Sequence, residues 1–145
     1  MPLSVATTRR SALHQTFLSS SATPSLVRKT LTVWLDERQV DEEPREDLVL
    51  AVSEAVTNVV DHAYRGVKTP GCVEVDIELT HEADHNGDPE RWITVAVTDY
   101  GTWRSERACN GFRGRGLQMI RACTDWRHIE RRAVGTRVTM ALRVS

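Results

Sequence analysis

Apolar residues change period several times along the chain, and each change marks an element. After a short extended candidate at residues 14–18, Ala22-Thr23-Pro24-Ser25 supplies polar and proline start signals for a helix. Leu26, Val27, Leu31, Val33, Trp34 and Leu35 then recur at roughly helical spacing, predicting a first helix over residues 25–38. Acidic Asp41-Glu42-Glu43 interrupts the pattern, and Pro44 fits the first turn of a second helix, with Glu46 and Asp47 near the positive end of its dipole. Leu48, Val52, Ala55, Val56, Val59 and Ala63 line one face at i, i+4, i+7, i+8, i+11 and i+15, so this helix is expected to reach about Tyr64 and stop before Gly66. Past Pro70-Gly71 the period becomes two. Val73, Val75, Ile77 and Leu79 alternate with Cys72, Glu74, Asp76 and Glu78, the pattern of a half-buried strand. Residues 92–98 alternate again after a polar segment containing Asn86-Gly87, which gives a hairpin. Residues 100–113 have little periodicity and form a loop, residues 114–126 a third helix, and residues 128–132 and 136–144 a second hairpin turning near Val134-Gly135. The order β-α-α-β-β-loop-α-β-β predicts a two-layer α/β sandwich, its sheet mixed and largely antiparallel, with helices on one face.

Composition narrows this picture. A chain of 145 residues, 40% apolar and 27% charged, fits one globular domain over residues 1–145. No apolar run approaches the roughly 18 residues of a membrane span, and the first residues lack a signal-peptide core, so a cytoplasmic protein without membrane contact is expected. Cys72, Cys109 and Cys123 match neither a disulfide framework nor paired zinc ligands and are expected to be reduced structural thiols. Charge is unevenly spread. Residues 1–100 hold 9 Lys/Arg and 17 Asp/Glu, net −8, and residues 101–145 hold 10 Arg and 3 acids, net +7. The arginines are scattered through apolar periodic segments, and no helix-turn-helix or stacking-aromatic motif accompanies them. An acidic protein surface or a polyphosphate is therefore favoured over direct nucleic-acid contact.

Three places carry candidate chemistry. On the second helix Glu54, Asn58, Asp61 and Arg65 form a polar stripe, in which Asn58 offers an oxygen ligand for Mg²⁺ and Glu54 a base near a phosphate; an ordinary solvated helix face has the same spacing. The strand ending in Asp99-Tyr100-Gly101 places a carboxylate acceptor, suited to the exocyclic amine of adenine, beside a glycine that permits unusual dihedrals or close ligand approach. Gly111-Phe112-Arg113-Gly114-Arg115-Gly116-Leu117 opens a helix with amides and arginines suited to phosphate. His81-Glu82-Ala83-Asp84-His85 matches the H-E-x-x-H expression of zinc proteases, but it lies between strand patterns and lacks a helical apolar face, which argues against that chemistry.

Taken in order, these motifs resemble those of RsbW-type anti-sigma-factor serine/threonine kinases of the GHKL (Bergerat-fold) ATPases. The segment from Ser53 to Tyr64, SEAVTNVVDHAY, is similar to their N-box; Asp99-Tyr100-Gly101 resembles the first glycine box, Arg113-Gly114-Arg115-Gly116-Leu117 the second, and Gly135-Thr136 the closing G-T box. The resemblance implies ATP and Mg²⁺ as cofactors, Glu54 as general base, Asn58 as Mg²⁺ ligand and Asp99 as adenine contact. It places Gly101, Gly114, Gly116 and Thr136 in the nucleotide pocket, with Arg113 or Arg115 neutralising phosphate and residues 100–113 as an ATP lid. Thr57 and His62 match the motif, as nucleotide-site residues or as helix caps and packing. Arg28 matches an arginine with which such proteins grip a sigma factor. The implied partners are that sigma factor, an anti-anti-sigma antagonist of the STAS type and a second copy in a homodimer.

One position departs from the pattern. Trp103 stands where the D-x-G-x-G box has its second glycine, and a tryptophan cannot take glycine's positive-φ conformations cheaply. Two function classes therefore stay open: a kinase that phosphorylates its antagonist while sequestering a sigma factor, and a non-catalytic module of the same fold that regulates by binding. The catalytic domain of a histidine kinase is disfavoured, because no helix with a phospho-accepting histidine precedes the domain.

Overall fold

Five strands form one sheet in the order β1-β2-β3-β5-β4, antiparallel at every pairing among the described residues. The computed structural model describes residues 11–102 and 115–145. The elements in chain order are β1 (Ser11–Leu18), α1 (Thr23–Glu37), α2 (Glu42–Asn58) continued by a π-helical turn (Val59–Ala63), β2 (Cys72–Ala83), β3 (Pro89–Asp99), α3 (Arg115–Cys123), β4 (Trp126–Arg131) and β5 (Thr136–Arg143). The two-layer sandwich expected from the periodicity is the one observed, except that the sheet expected to be mixed has no parallel pair among the described residues.

Local chemistry explains the starts of the helices. The Thr23 hydroxyl donates to the Leu18 carbonyl and accepts from the Ser20 amide, folding the chain from β1 into α1, and Pro24 then occupies the first turn. Asp41 precedes α2 in an extended conformation, and Glu42 and Glu43 put negative charge at the dipole's positive end. On β2, Val73, Val75, Ile77 and Leu79 are buried while the alternate residues are half-buried, so only one face of the sheet is covered. Against that face lie Leu31 and Leu35 of α1, Leu48, Val52 and Val56 of α2, and Ile120 of α3, all fully buried in one core with Ile93, Val95, Val138 and Met140. The helix α2 packs between α1 and α3. Cys72 and Cys123 are free thiols, and burial pushes the Cys123 thiol up, away from the reactive thiolate. Among the described residues no helix is long and apolar enough to cross a membrane.

Several boundaries differ from the sequence expectation. β2 and β3 continue to Ala83 and from Pro89, around a turn in which Asp84 Oδ1 accepts the amides of Asn86 (2.8 Å) and Asp88 (2.9 Å) and Gly87 has φ 83°. His81 thus lies on a strand, away from any helical H-E-x-x-H site. Trp126, expected at the end of the third helix, begins β4 instead, because Thr124 and Asp125 intervene after Cys123.

The uncovered face carries a pH-sensitive pair. His14 Nδ1 on β1 lies 2.5 Å from Asp76 Oδ1 on β2, and the hydrogen bond that the ring donates to that carboxylate raises the exposed imidazole above its ordinary 6.5. A raised folded-state value means the pair's contribution is complete below the unfolded value and lost as pH rises through the folded one. The difference in melting temperature between wild type and His14→Ala is expected to shrink as pH increases from mildly acidic to alkaline. A pH-independent difference in thermal melts would remove the pair as its cause.

Candidate functional site

Three pieces of chain converge at one end of the sheet: the end of α2 with its π turn, the end of β3, and the turn into β5. Ile93, Val95 and Val97 point into the core at alternate positions of β3, and the same alternation places Asp99 inward, 1% exposed. A carboxylate at such a depth has to be hydrogen-bonded. Asp99 Oδ1 accepts the amide of Gly101 at 3.0 Å, folding the chain tightly just past the strand.

Two glycines allow this convergence. Gly101 does not have a positive φ; its α-carbon lies so close to the Ala63 carbonyl at the end of the π turn that a β-carbon would overlap the oxygen. The steric need here comes from the protein's own backbone and not from special dihedrals. Gly135, at φ 80°, has both constraints: the conformation suits glycine, and a β-carbon would overlap the Asp99 carbonyl. Thr136 follows as the buried first residue of β5.

The helix contributes the polar pair. Asn58 is the last residue of α2 and is 8% exposed; its Nδ2 has no hydrogen-bond partner among the described residues. Glu54 lies one turn earlier and is half-buried. A buried donor left unpaired costs free energy, so Asn58 Nδ2 fits a site that an acceptor, such as a phosphate oxygen, completes. No group of three or more His, Cys, Asp or Glu residues forms a metal cage among the described residues. Mg²⁺ would take the Oδ1 of the same carboxamide, keeping several waters and drawing its other ligands from phosphates.

The polar stripe expected on α2 holds only as far as Asn58. Beyond it the π turn changes the winding, leaving Asp61 exposed, and Arg65 lies past the helix with its Nε donating to the Asp61 carbonyl. Thr57 and His62 are half-buried. Gly116 is buried in the first turn of α3, and Arg115 is the first residue of that helix. Arg113, Gly114, Trp103, Cys109 and nearly all of the expected lid lie outside the described residues. Arg28 is remote from Asp99 in the chain but tied to the N-box helix: its Nη1 donates to Ser53 Oγ at 2.8 Å. It borders a groove of about 580 Å³ between α1 and α2, lined also by Val33, Asp36, Arg45, Val49 and Leu50.

Tyr64 was quoted in the motif but given no role by the sequence. Its hydroxyl accepts the Tyr100 amide at 2.9 Å and donates to the Cys72 carbonyl at 2.6 Å. Burial raises its pKa above the usual 10, so it stays protonated near neutral pH. Only its position at the end of the motif could have signalled this.

The arrangement has recognisable relatives. A family model described as the histidine kinase-like ATPase domain matches residues 18–142. The anti-sigma F factor of Clostridium acetobutylicum is 31% identical over 128 residues, covering 86% of this chain and 87% of that protein. The crystal structure of the RsbU and RsbW domains of Rv1364c from Mycobacterium tuberculosis matches with a TM-score of 0.66 and 27% identity, over 92% of this chain. This chain spans 32% of that longer one.

The contact between Gly101 and Ala63 is directly testable. Gly101→Ala is expected to destabilise the protein by about 1–3 kcal/mol, the usual cost of forcing an extra carbon into a packed site. Urea unfolding without nucleotide measures it, and unchanged stability would show that the backbones do not meet this closely.

Proposed function

Because this chain belongs to the family of histidine kinase-like ATPase domains, we propose that it is an anti-sigma factor that binds ATP with Mg²⁺ and phosphorylates a serine or threonine of an anti-anti-sigma antagonist. The observation that carries this reading is the buried Asn58 Nδ2, a donor unpaired among the described residues and suited to a phosphate oxygen, one helical turn beyond Glu54 and on the helix whose end abuts the Asp99 turn. The likeness to an anti-sigma F factor over most of both chains supports the regulatory role.

In this reading the Asp99 carboxylate accepts a hydrogen bond from the adenine amine, with Gly101 and Thr136 in the surrounding wall. Gly114, Gly116 and the arginines 113 and 115 meet the phosphates. Bound Mg²⁺ supplies neutralisation of phosphate charge, and Asn58 is the residue that would hold it. Glu54 orients the antagonist's hydroxyl and takes its proton, while the hydroxyl oxygen receives the γ-phosphoryl group and ADP leaves. Trp103 supports a second reading, a module that holds nucleotide and partner without transfer, because it replaces a glycine of the first box.

Single-turnover transfer to an antagonist at saturating ATP and Mg²⁺ separates the two. Glu54→Gln is expected to leave ATP binding nearly intact and slow transfer by roughly 10²–10⁴-fold, since the amide keeps the shape but cannot accept the proton. Asn58→Ala should weaken Mg²⁺-dependent binding and transfer together. Wild-type protein that binds ATP and its antagonist but transfers nothing would sink the kinase assignment in favour of the binding module.

The sigma factor is expected to dock on the α1–α2 groove beside Arg28. Arg28→Ala should weaken that complex by about 2 kcal/mol or more, as for an interface hot spot, with ATP affinity nearly unchanged. Equal sigma affinity in the two proteins, measured by calorimetry, would leave Arg28 only its bond to Ser53.

A further inference from the structure

The hydroxyl of Tyr64 occupies an unusual place in the sheet. Val73 and Asp99 form the last paired rung between β2 and β3, and continuing the register would bring Cys72 opposite Tyr100. Instead the Tyr64 hydroxyl stands between them, receiving the Tyr100 amide and donating to the Cys72 carbonyl. Side-chain chemistry thus replaces a backbone rung immediately beyond the proposed adenine contact.

The rest of the residue is held just as firmly. Its ring packs against Gly71 so closely that a β-carbon there would overlap the ring atoms. The π turn at Val59–Ala63 closes its hydrogen bonds over one more residue than an α-helix does, so Tyr64 leaves the helix in a direction that uninterrupted winding would not give it. The adjacent Ala63 carbonyl abuts Gly101. Two consecutive residues at the end of the N-box, Ala63 by contact and Tyr64 by hydrogen bond, therefore hold two consecutive residues after Asp99. The peptide they hold includes the Gly101 amide that binds Asp99 Oδ1, so the direction of the carboxylate depends on it.

We propose that Tyr64 is a positioning residue for purine selection: by fixing the Tyr100 amide, its hydroxyl aims Asp99 at the base. This rests on the reading of Asp99 as the adenine contact. The half-buried phenol keeps its proton through the neutral range, so its two bonds persist across the conditions of a binding measurement.

Tyr64→Phe removes both bonds and leaves the ring against Gly71. Calorimetry with Mg²⁺ and either ATP or ITP, which carries a carbonyl in place of the adenine amine, is made on wild type, Tyr64→Phe, Asp99→Asn and the double variant. Wild type should prefer ATP. Tyr64→Phe should lose about tenfold in ATP affinity with little change for ITP, and should cost little more once Asp99→Asn is present, because both act on one contact. Amide hydrogen exchange should show Tyr100 protected in the wild type and released in Tyr64→Phe, with the β3 core amides unchanged. Equal losses for ATP and ITP, additive losses in the double variant, or a Tyr100 amide unprotected in the wild type would each overturn the proposal. Wild type that prefers ATP beside an unaffected Tyr64→Phe would overturn the positioning role alone. Wild type that binds neither nucleotide would overturn the nucleotide reading and this inference with it.

Discussion

A helix packed on a sheet and flanked by helices on both sides has only a narrow strip of surface left for anything else. That is the situation of α2, whose Leu48, Ala51, Val52, Ala55 and Val56 are all fully buried. Glu54 and Asn58 occupy what remains, one turn apart and held by the packing around them. Burial fixes their direction far more tightly than a free surface helix could, which is what a site made of side chains on one element requires. It also explains why Asn58 can be so deeply placed: the surrounding core fixes the helix, and the site's polar demand falls on the helix's last α-helical residue.

The convergence of backbones around Asp99 extends that logic. Ala63, Gly101, Asp99 and Gly135 pack at distances that admit no intervening side chain. Glycines commonly associated with phosphate approach here let three segments of the same chain meet, and the carboxylate is held by the resulting turn. A π turn at the end of α2 belongs to the same arrangement, since local departures from α-helical winding are concentrated at functional sites.

Much of this was legible in the sequence, for identifiable reasons. Strong period-two alternation gave β2 and β3, and the long apolar stripe gave α2, because each has one face in the core. Where both faces meet solvent, the signal vanishes: the outer hairpin residues Glu82, Ala83 and Pro89 are exposed, and β4 is almost wholly exposed at the sheet edge, so neither its start at Trp126 nor the hairpin's full length could be seen. The π turn was hidden because Val59 and Ala63 keep an apolar spacing that ordinary helix also satisfies. The motifs singled out Glu54, Asn58 and Asp99 as a pattern along the chain, yet the steric reason for Gly101 and the bonds of Tyr64 depend on contacts between segments far apart in the chain, which no local spacing encodes.

The placement of β5 has a kinetic corollary. β2 and β3 are joined by a turn of residues 84–88, whereas β3 finds β5 only after the chain from 100 to 135 has closed on itself. Pairings of short separation form readily, and those that close long loops are slow. Gly135 reaches Asp99 only when that long closure is complete. The β2–β3 hairpin can therefore form with β3 still open on the side that β5 will cover, and the convergence of backbones at Asp99 comes into being only when β5 pairs. A nucleotide held at Asp99 as proposed would act on the late half of the folding reaction, slowing the release of β5 more than it hastens the early collapse.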